Sequence, residues 1–290
     1  MAEPATGVFR VPHSMTFPRR LLRNRSAAAG LVILVVILLT ALLGPYLVTK
    51  NPIKTAPLQR LKPPSTDHVF GTDSLGRDIL SRVVHGTRIS LVIGLISVSI
   101  SLVPGILIGL LAGYFGGWVD SVLMRLMDVL LAFPAILLAI FITAILGPSL
   151  PNTMIAVGIV YIPHYARIIR SNVLSLRERL FVQAVGHLGG SHARILLRHI
   201  LPNSLAPIIV YATLGMGTAV LQAAALGFLG LGAQPPQPEW GAMLSEGRQY
   251  IQIAPHVAAF PGAAILLLVL GFNLFGDGLR DVLDPSLRIP

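Results

Sequence analysis

Six apolar runs recur along the chain, near residues 29–48, 89–113, 121–146, 152–170, 204–230 and 254–276. Stretches rich in arginine, proline and glycine separate them. Each run can cross a hydrocarbon core of ~30 Å as a helix, at a rise of ~1.5 Å per residue. A helix also satisfies its own backbone hydrogen bonds, which lipid cannot do. The run 152–170 is the weakest. Its apolar part, Met154–Ile162, is short and Pro163 interrupts it, so a re-entrant segment is the alternative. The first run, Ala29–Val48, follows a basic leader too long for a secretory signal, and no A-x-A-like cleavage site comes after it. It is read as a retained span. The expected fold is an all-α membrane protein. A segment 1–28 precedes the first helix (29–48). A loop 49–88 containing an amphipathic helix follows, then a core 89–276 that includes the loop 171–203, and a tail 277–290.

Charge orients these runs. Arg10, Arg19, Arg20, Arg23 and Arg25 precede the first run against Glu3 alone, which places the N-terminus in the cytoplasm under the positive-inside rule. Six spans return the C-terminus to the same side. The loop 164–203 is then cytoplasmic, and it carries Arg167, Arg170, Arg177, Arg179, Arg194 and Arg198 against Glu178 alone. One segment dissents. The loop 50–87 should lie outside, yet it holds Lys50, Lys54, Arg60, Lys62, Arg77 and Arg82, only partly offset by Asp67, Asp73 and Asp78.

Composition supports a membrane protein. Hydrophobic residues make up 54% and charged residues 12%, against about half and a quarter in soluble domains. The net charge of +10 is not read as nucleic-acid binding, because the arginines sit between apolar runs and no basic-aromatic patch occurs. The absence of cysteine excludes disulfides, Cys-ligated zinc and thiol nucleophiles. No G-x-x-x-x-G-K-[ST] loop is present, and no lysine follows Lys62, so ATP phosphates cannot be cradled in that way. The histidines show no metal-ligand spacing.

Several residues inside the runs invite a role. Gly105, Gly109 and Gly113, at i, i+4, i+8, form a bare stripe where another helix can approach, for static packing or as a moving helix contact. Pro104 and Pro134 should kink their helices. Asp128 lies three residues after Arg125, so the two can pair on one face as a structural ion pair, with a substrate contact in the pathway as the alternative. Gln222 is either interhelix glue or a contact for a peptide-like solute. Glu239 and Trp240 lie in the loop 231–253, as either an outer contact or part of a rigid lid with an interfacial anchor.

The segment from Leu174, LSLRERLFVQAVGHLGGSHARILLRHILPN, reads as two short helices. The first covers 177–188, with Leu180, Ala184 and Leu188 on one face and Phe181 and Val185 beside them. Gly189-Gly190 ends it. Ser191 can cap the second, which carries Arg194 and Arg198 one turn apart and stops near Pro202. An amphipathic hairpin of this kind can lie on lipid, pack on its own spans, or fill a groove in another protein.

The run Gln183-Ala184-Val185, then Gly189, then Ile200-Leu201-Pro202 resembles the loop signature of binding-protein-dependent ABC importer permeases. That signature opens Glu-Ala-Ala, so Gln183 and Val185 are departures. Further segments resemble dipeptide, oligopeptide and nickel permeases of the C-subunit type. They are GTDSLGRDILSRVVHGTRISLVIG (71–94), GYFGGWVDSVLMRLMDVLLAFP (113–134), HILPN (199–203), LGFLGLGAQPPQPEWGAML (226–244) and FNLFGDGLRDVLDP (272–285). Relatives often have Glu where this chain has Gln222. The resemblance implies a type I ABC importer permease fold in the bacterial inner membrane. It implies a non-catalytic subunit working with a second permease subunit, two ATP-binding subunits that hold ATP and Mg, and an extracytoplasmic solute-binding protein. Arg179, Phe181, Gln183, Ala184, Gly189, Arg194, His199 and Pro202 would form the loop that docks the ATPase. Short peptides are the expected cargo, with nickel chelates or glutathione as alternatives. An ATP-independent channel or secondary carrier is the competing class.

Overall fold

The computed structural model describes residues 17–283. Glu3 and Arg10 of the leader, and Asp284 and Pro285 of the tail segment, lie outside the described residues. The regular secondary structure of the described residues is helical, with one isolated bridge between Thr72 and Asp78, and loops such as 48–78 and 229–239 connect the helices.

A short helix α1 (Phe17–Arg23) leads into α2 (Arg25–Leu47). Asn24 caps α2 by accepting from the Ala27 amide, and its own amide donates to Asp281 at 3.1 Å. The first span is thereby tied to the last helix, α11 (His256–Leu283), along whose length it packs. α3 (Ile79–Phe115) starts where the Asp78 carboxylate accepts from the Ser81 amide at 2.9 Å. No separate amphipathic helix occupies 49–88. The expected one is the first turns of α3, because nothing between Asp78 and the apolar run interrupts the helix. At 37 residues, α3 reaches about 55 Å and outruns the hydrocarbon core.

The run 121–146 is not one helix. α4 (Gly117–Leu131) and α5 (Ala135–Leu146) meet at 87°. Pro134 removes a backbone donor and pushes Phe133 out of the helical region, so the chain turns there rather than kinking. The run 152–170, by contrast, is part of one unbroken helix, α6 (Leu150–Arg177), with Pro163 buried inside it. After the loop come α7 (Leu180–His187), α8 (His192–Arg194), a six-residue π-helical segment Ile195–Ile200, and α9 (Leu201–Phe228). α10 (Trp240–Arg248) lies between α9 and α11.

Among the described residues four helices are long and apolar enough to cross a membrane, or five if the bent α4–α5 pair is one span. The 28-residue α6 is long enough but more polar. It is the central helix and packs most extensively on α3. Buried residues such as Ala156, Val157, Ala166, Ile169 and Val173 face its neighbours rather than lipid.

Candidate functional site

The loop after α6 folds back as an elbow. Arg179 precedes α7, and Gly189, at φ +80°, turns the chain out of it. Ser191 opens the next helix by accepting from the Arg194 amide. Val182 is buried with Ile195 and Leu196, and Val185 packs beside them. This holds the two arms together and leaves the other side of α7 uncovered among the described residues. Leu180 is 84% exposed and Leu188 87%, with Phe181, Gln183 and Ala184 exposed among them. The Gln183 side chain donates to the Glu178 carbonyl at 3.3 Å, a weak local bond. Arg194 and Pro202 are also exposed, while His199 is half-buried.

Pro202 does not stop the second helix. It sits in the first turn of α9, where a missing amide costs little, and the chain continues as helix from His192 to Phe228. The elbow is therefore one arm of a long rod. It is fixed to the C-terminal end of α3 by Arg177, which donates to the Tyr114 carbonyl at 3.1 Å, and by the Tyr114 hydroxyl, 2.8 Å from His192 Nδ1.

The glycine stripe is what brings α3 and α6 together. A Cβ on Gly105 would fall 2.6 Å from Tyr165 Cβ. On Gly109 it would fall 2.7 Å from the Ala166 carbonyl oxygen, and on Gly113 2.8 Å from Val173 Cβ. Any larger residue would push the helices apart.

Asp128 does not pair with Arg125. Its carboxylate accepts from Arg167 of α6 at 2.6 Å, and Asp120 is bridged twice by Arg170. α4 is thus fastened across α6 by tertiary contacts that spacing along one helix cannot reveal. Gln222 lines a cleft of about 580 Å³ with Ile136, Leu221, Phe228, Leu244 and Ile265. The Tyr161 hydroxyl reaches it from α6. Gln222 is the polar side chain in an otherwise apolar wall, and it can offer both a donor and acceptors to a backbone amide.

Glu239 and Trp240 are each only 2% exposed, so neither offers a surface to another protein. Glu239 caps α10, accepting from Gly241 and Ala242, and the Trp240 indole donates to the Val83 carbonyl at 3.0 Å. Burial pushes the Glu239 carboxyl up from its ordinary value, and the two amide hydrogen bonds oppose that shift. Both residues are struts joining α10 to α3 and α9. Beside them lies a network that sequence reading missed. Arg77 bonds Asp73 at 2.6 Å and also Glu246, while Arg82 lies 3.5 Å from Asp73 and 3.6 Å from Glu246. The two arginines are 2% and 1% exposed. The visible signal was Asp-x-x-x-Arg twice over, Asp73 to Arg77 and Asp78 to Arg82. Among the described residues no cluster has the make-up of a metal site.

Residues 105–289 match the family described as the binding-protein-dependent transport system inner membrane component. The chain belongs to this family. Residues 16–64 of the permease match a second description, the N-terminal transmembrane domain of oligopeptide transport permease C. The permease is 54% identical to a dipeptide transport system permease protein of Alkalihalophilus pseudofirmus, over 93% of this chain and 89% of that one. It is 50% identical to a glutathione transport system permease protein of Pectobacterium atrosepticum, over 94% and 91%. An inward-facing structure of the MetNI methionine ABC transporter has a chain with the same fold. Its TM-score is 0.55 at 21% identity, covering 69% of the permease and 95% of that chain. The permease is a multi-pass membrane protein with an ABC importer permease fold.

Proposed function

We propose that the permease carries short peptides across the bacterial inner membrane as one half of an ATP-driven importer. The observation that carries this reading is the free apolar face of α7. Leu180, Ala184 and Leu188 lie on the elbow with nothing among the described residues covering them. A helix presenting anchors at i, i+4, i+8 suits a groove in another protein, and the elbow's bonds to α3 and its continuity with α9 make it a lever on the spans. The occupant of that face is an ATP-binding subunit, one of two, each holding its own ATP and Mg. Six spans with both termini in the cytoplasm follow if α4–α5 and α6 each count as one crossing. This agrees with the arginines of the 164–203 loop.

A second permease subunit completes the pathway against the cleft at Gln222, and an extracytoplasmic binding protein delivers the cargo. Peptide cargo is favoured by similarity to a dipeptide permease along nearly the whole chain. Similarity to a glutathione permease points the same way, since glutathione is itself a tripeptide. Gln222 is suited to reading the amide that such solutes share. The test is purification of the permease with its neighbours, followed by uptake of labelled di- and tripeptides into proteoliposomes. We expect an ATPase to co-purify and uptake to require ATP. Leu180→Asp with Leu188→Asp should lose the ATPase while the permease remains inserted. Recovery of no ATPase from wild type, or uptake indifferent to ATP, overturns the reading in favour of a channel or secondary carrier.

A further inference from the structure

The six cations of the outer loop are an exception that topology leaves unexplained. Lysine and arginine on a translocated loop oppose the positive-inside bias, yet all three lysines of this chain are here. The structure divides the six into two sets. Lys50 lies 3.6 Å from Asp78, and Arg77 and Arg82 are enclosed with Asp73 and Glu246. Those three are neutralised within the fold. Lys54, Arg60 and Lys62 are exposed, and none of them enters an ion pair among the described residues. Residues 51–66 contain no Asp or Glu at all.

These three cations stand on a rigid platform. Ala56 donates to the Leu75 carbonyl at 2.9 Å and Leu61 to that of Asp73 at 3.0 Å. Thr72 donates to the Lys62 carbonyl at 3.0 Å. The Lys62 amide returns a bond to Thr72 Oγ1, and the His68 ring is held between Asp78 and Gln59. Phe70 stacks on Phe260 of α11 with ring centroids 3.9 Å apart, which fixes the platform to the transmembrane body. Among the cations Leu58 is 98% exposed, and Leu75 beside the same ply is 47% exposed. Exposed apolar and cationic side chains sharing one short segment suit a protein interface, which combines apolar contact with a polar rim. Headgroup binding, in contrast, needs charge but no fixed spacing.

Building on the proposed function, we infer that Lys54, Arg60 and Lys62, with the exposed Leu58 of the same short segment, form the surface on which an acidic face of the soluble binding protein docks. The buried network behind them, Asp73, Arg77, Arg82 and Glu246, passes from this platform to α10. Docking therefore bears directly on the helix that the Glu239 and Trp240 struts seat against α3 and α9. Exposed charges of this kind act mainly by steering encounter, so they raise the association rate and are weakened by salt.

The test uses the complete transporter in nanodiscs. The cognate binding protein is taken as the one that stimulates ATP hydrolysis by the wild-type complex. Its half-maximal concentration is measured for wild type and for Lys54→Gln/Arg60→Gln/Lys62→Gln. We expect it to rise about tenfold in the variant, with the maximal rate kept. Wild type should lose affinity from 50 to 300 mM salt, as the Debye length falls from about 14 Å to about 6 Å, while the variant barely responds. Removing outside cations favours the intended topology, so poor insertion would not explain a loss. Equal half-maximal concentrations and equal salt dependence overturn the inference. So does a wild-type advantage present in phosphatidylglycerol discs and absent in phosphatidylcholine discs, which would assign the patch to lipid, or loss of the second permease from the variant complex. Absence of stimulation in wild type by any binding protein would refute the proposed function itself, before the patch is at issue.

Discussion

Replacing Gly109 by Ala puts one methyl group into the middle of the glycine stripe at the α3–α6 contact. That methyl would sit 2.7 Å from the Ala166 carbonyl oxygen, 2.7 Å from Ile169 Cβ and 3.0 Å from the Arg170 amide nitrogen. Ordinary contact begins near 3.4 Å, so the helices must part by about 0.7 Å. Two of the three atoms are backbone, and no side-chain rotation can relieve them. Overpacking of this kind costs about 1–3 kcal/mol. Alanine's better helix propensity returns up to about 1 kcal/mol, which leaves a net loss of roughly 1–2 kcal/mol. At about 2–4 °C per kcal/mol, thermal unfolding of the purified permease should begin several degrees lower. Gly262→Ala in α11 is the matched control. Its methyl meets only Leu244 Cδ2 at 3.6 Å, an ordinary contact, so this variant should equal or slightly exceed wild type. A Gly109→Ala midpoint at or above that of wild type would refute the close-packing argument.

Other substitutions probe the elbow and the struts around α10. Gly189→Pro cannot adopt φ +80°, so ATP hydrolysis should continue while peptide uptake falls. Unchanged uptake per ATP would count against the lever. Arg77→Met leaves Asp73 buried without its closest partner, which should cost about 3–5 kcal/mol, seen as loss of folded permease in detergent; normal yield and melting would contradict this. Because burial raises the Glu239 carboxyl, the folded state favours its protonated form. Its contribution is complete below the ordinary carboxylate value and is lost as pH rises through the raised one. Glu239→Gln should flatten that part of the stability–pH curve, and an unaltered curve would rule Glu239 out as its source.

Much of this protein could be read from one dimension. The apolar runs located α2, α3, α9 and α11, because lipid demands continuous apolarity wherever a helix meets it. The glycine spacing announced a close contact, and Gly189 with Ser191 marked the corner of the elbow, since turn and cap chemistry is local. What required the tertiary structure was every choice among partners. Asp128 had Arg125 within reach along its own helix but took Arg167 of α6 instead. Glu239 and Trp240 sat in a loop that looked exposed, yet they are buried because α10 packs between α9 and α11. The cations of the loop 50–87 were indistinguishable in sequence, and only folding separated those paired with Asp73, Asp78 and Glu246 from Lys54, Arg60 and Lys62. Periodicity and composition record how a segment meets its solvent. Which side chains lie within a few ångströms across helices distant in sequence is fixed only when those helices pack.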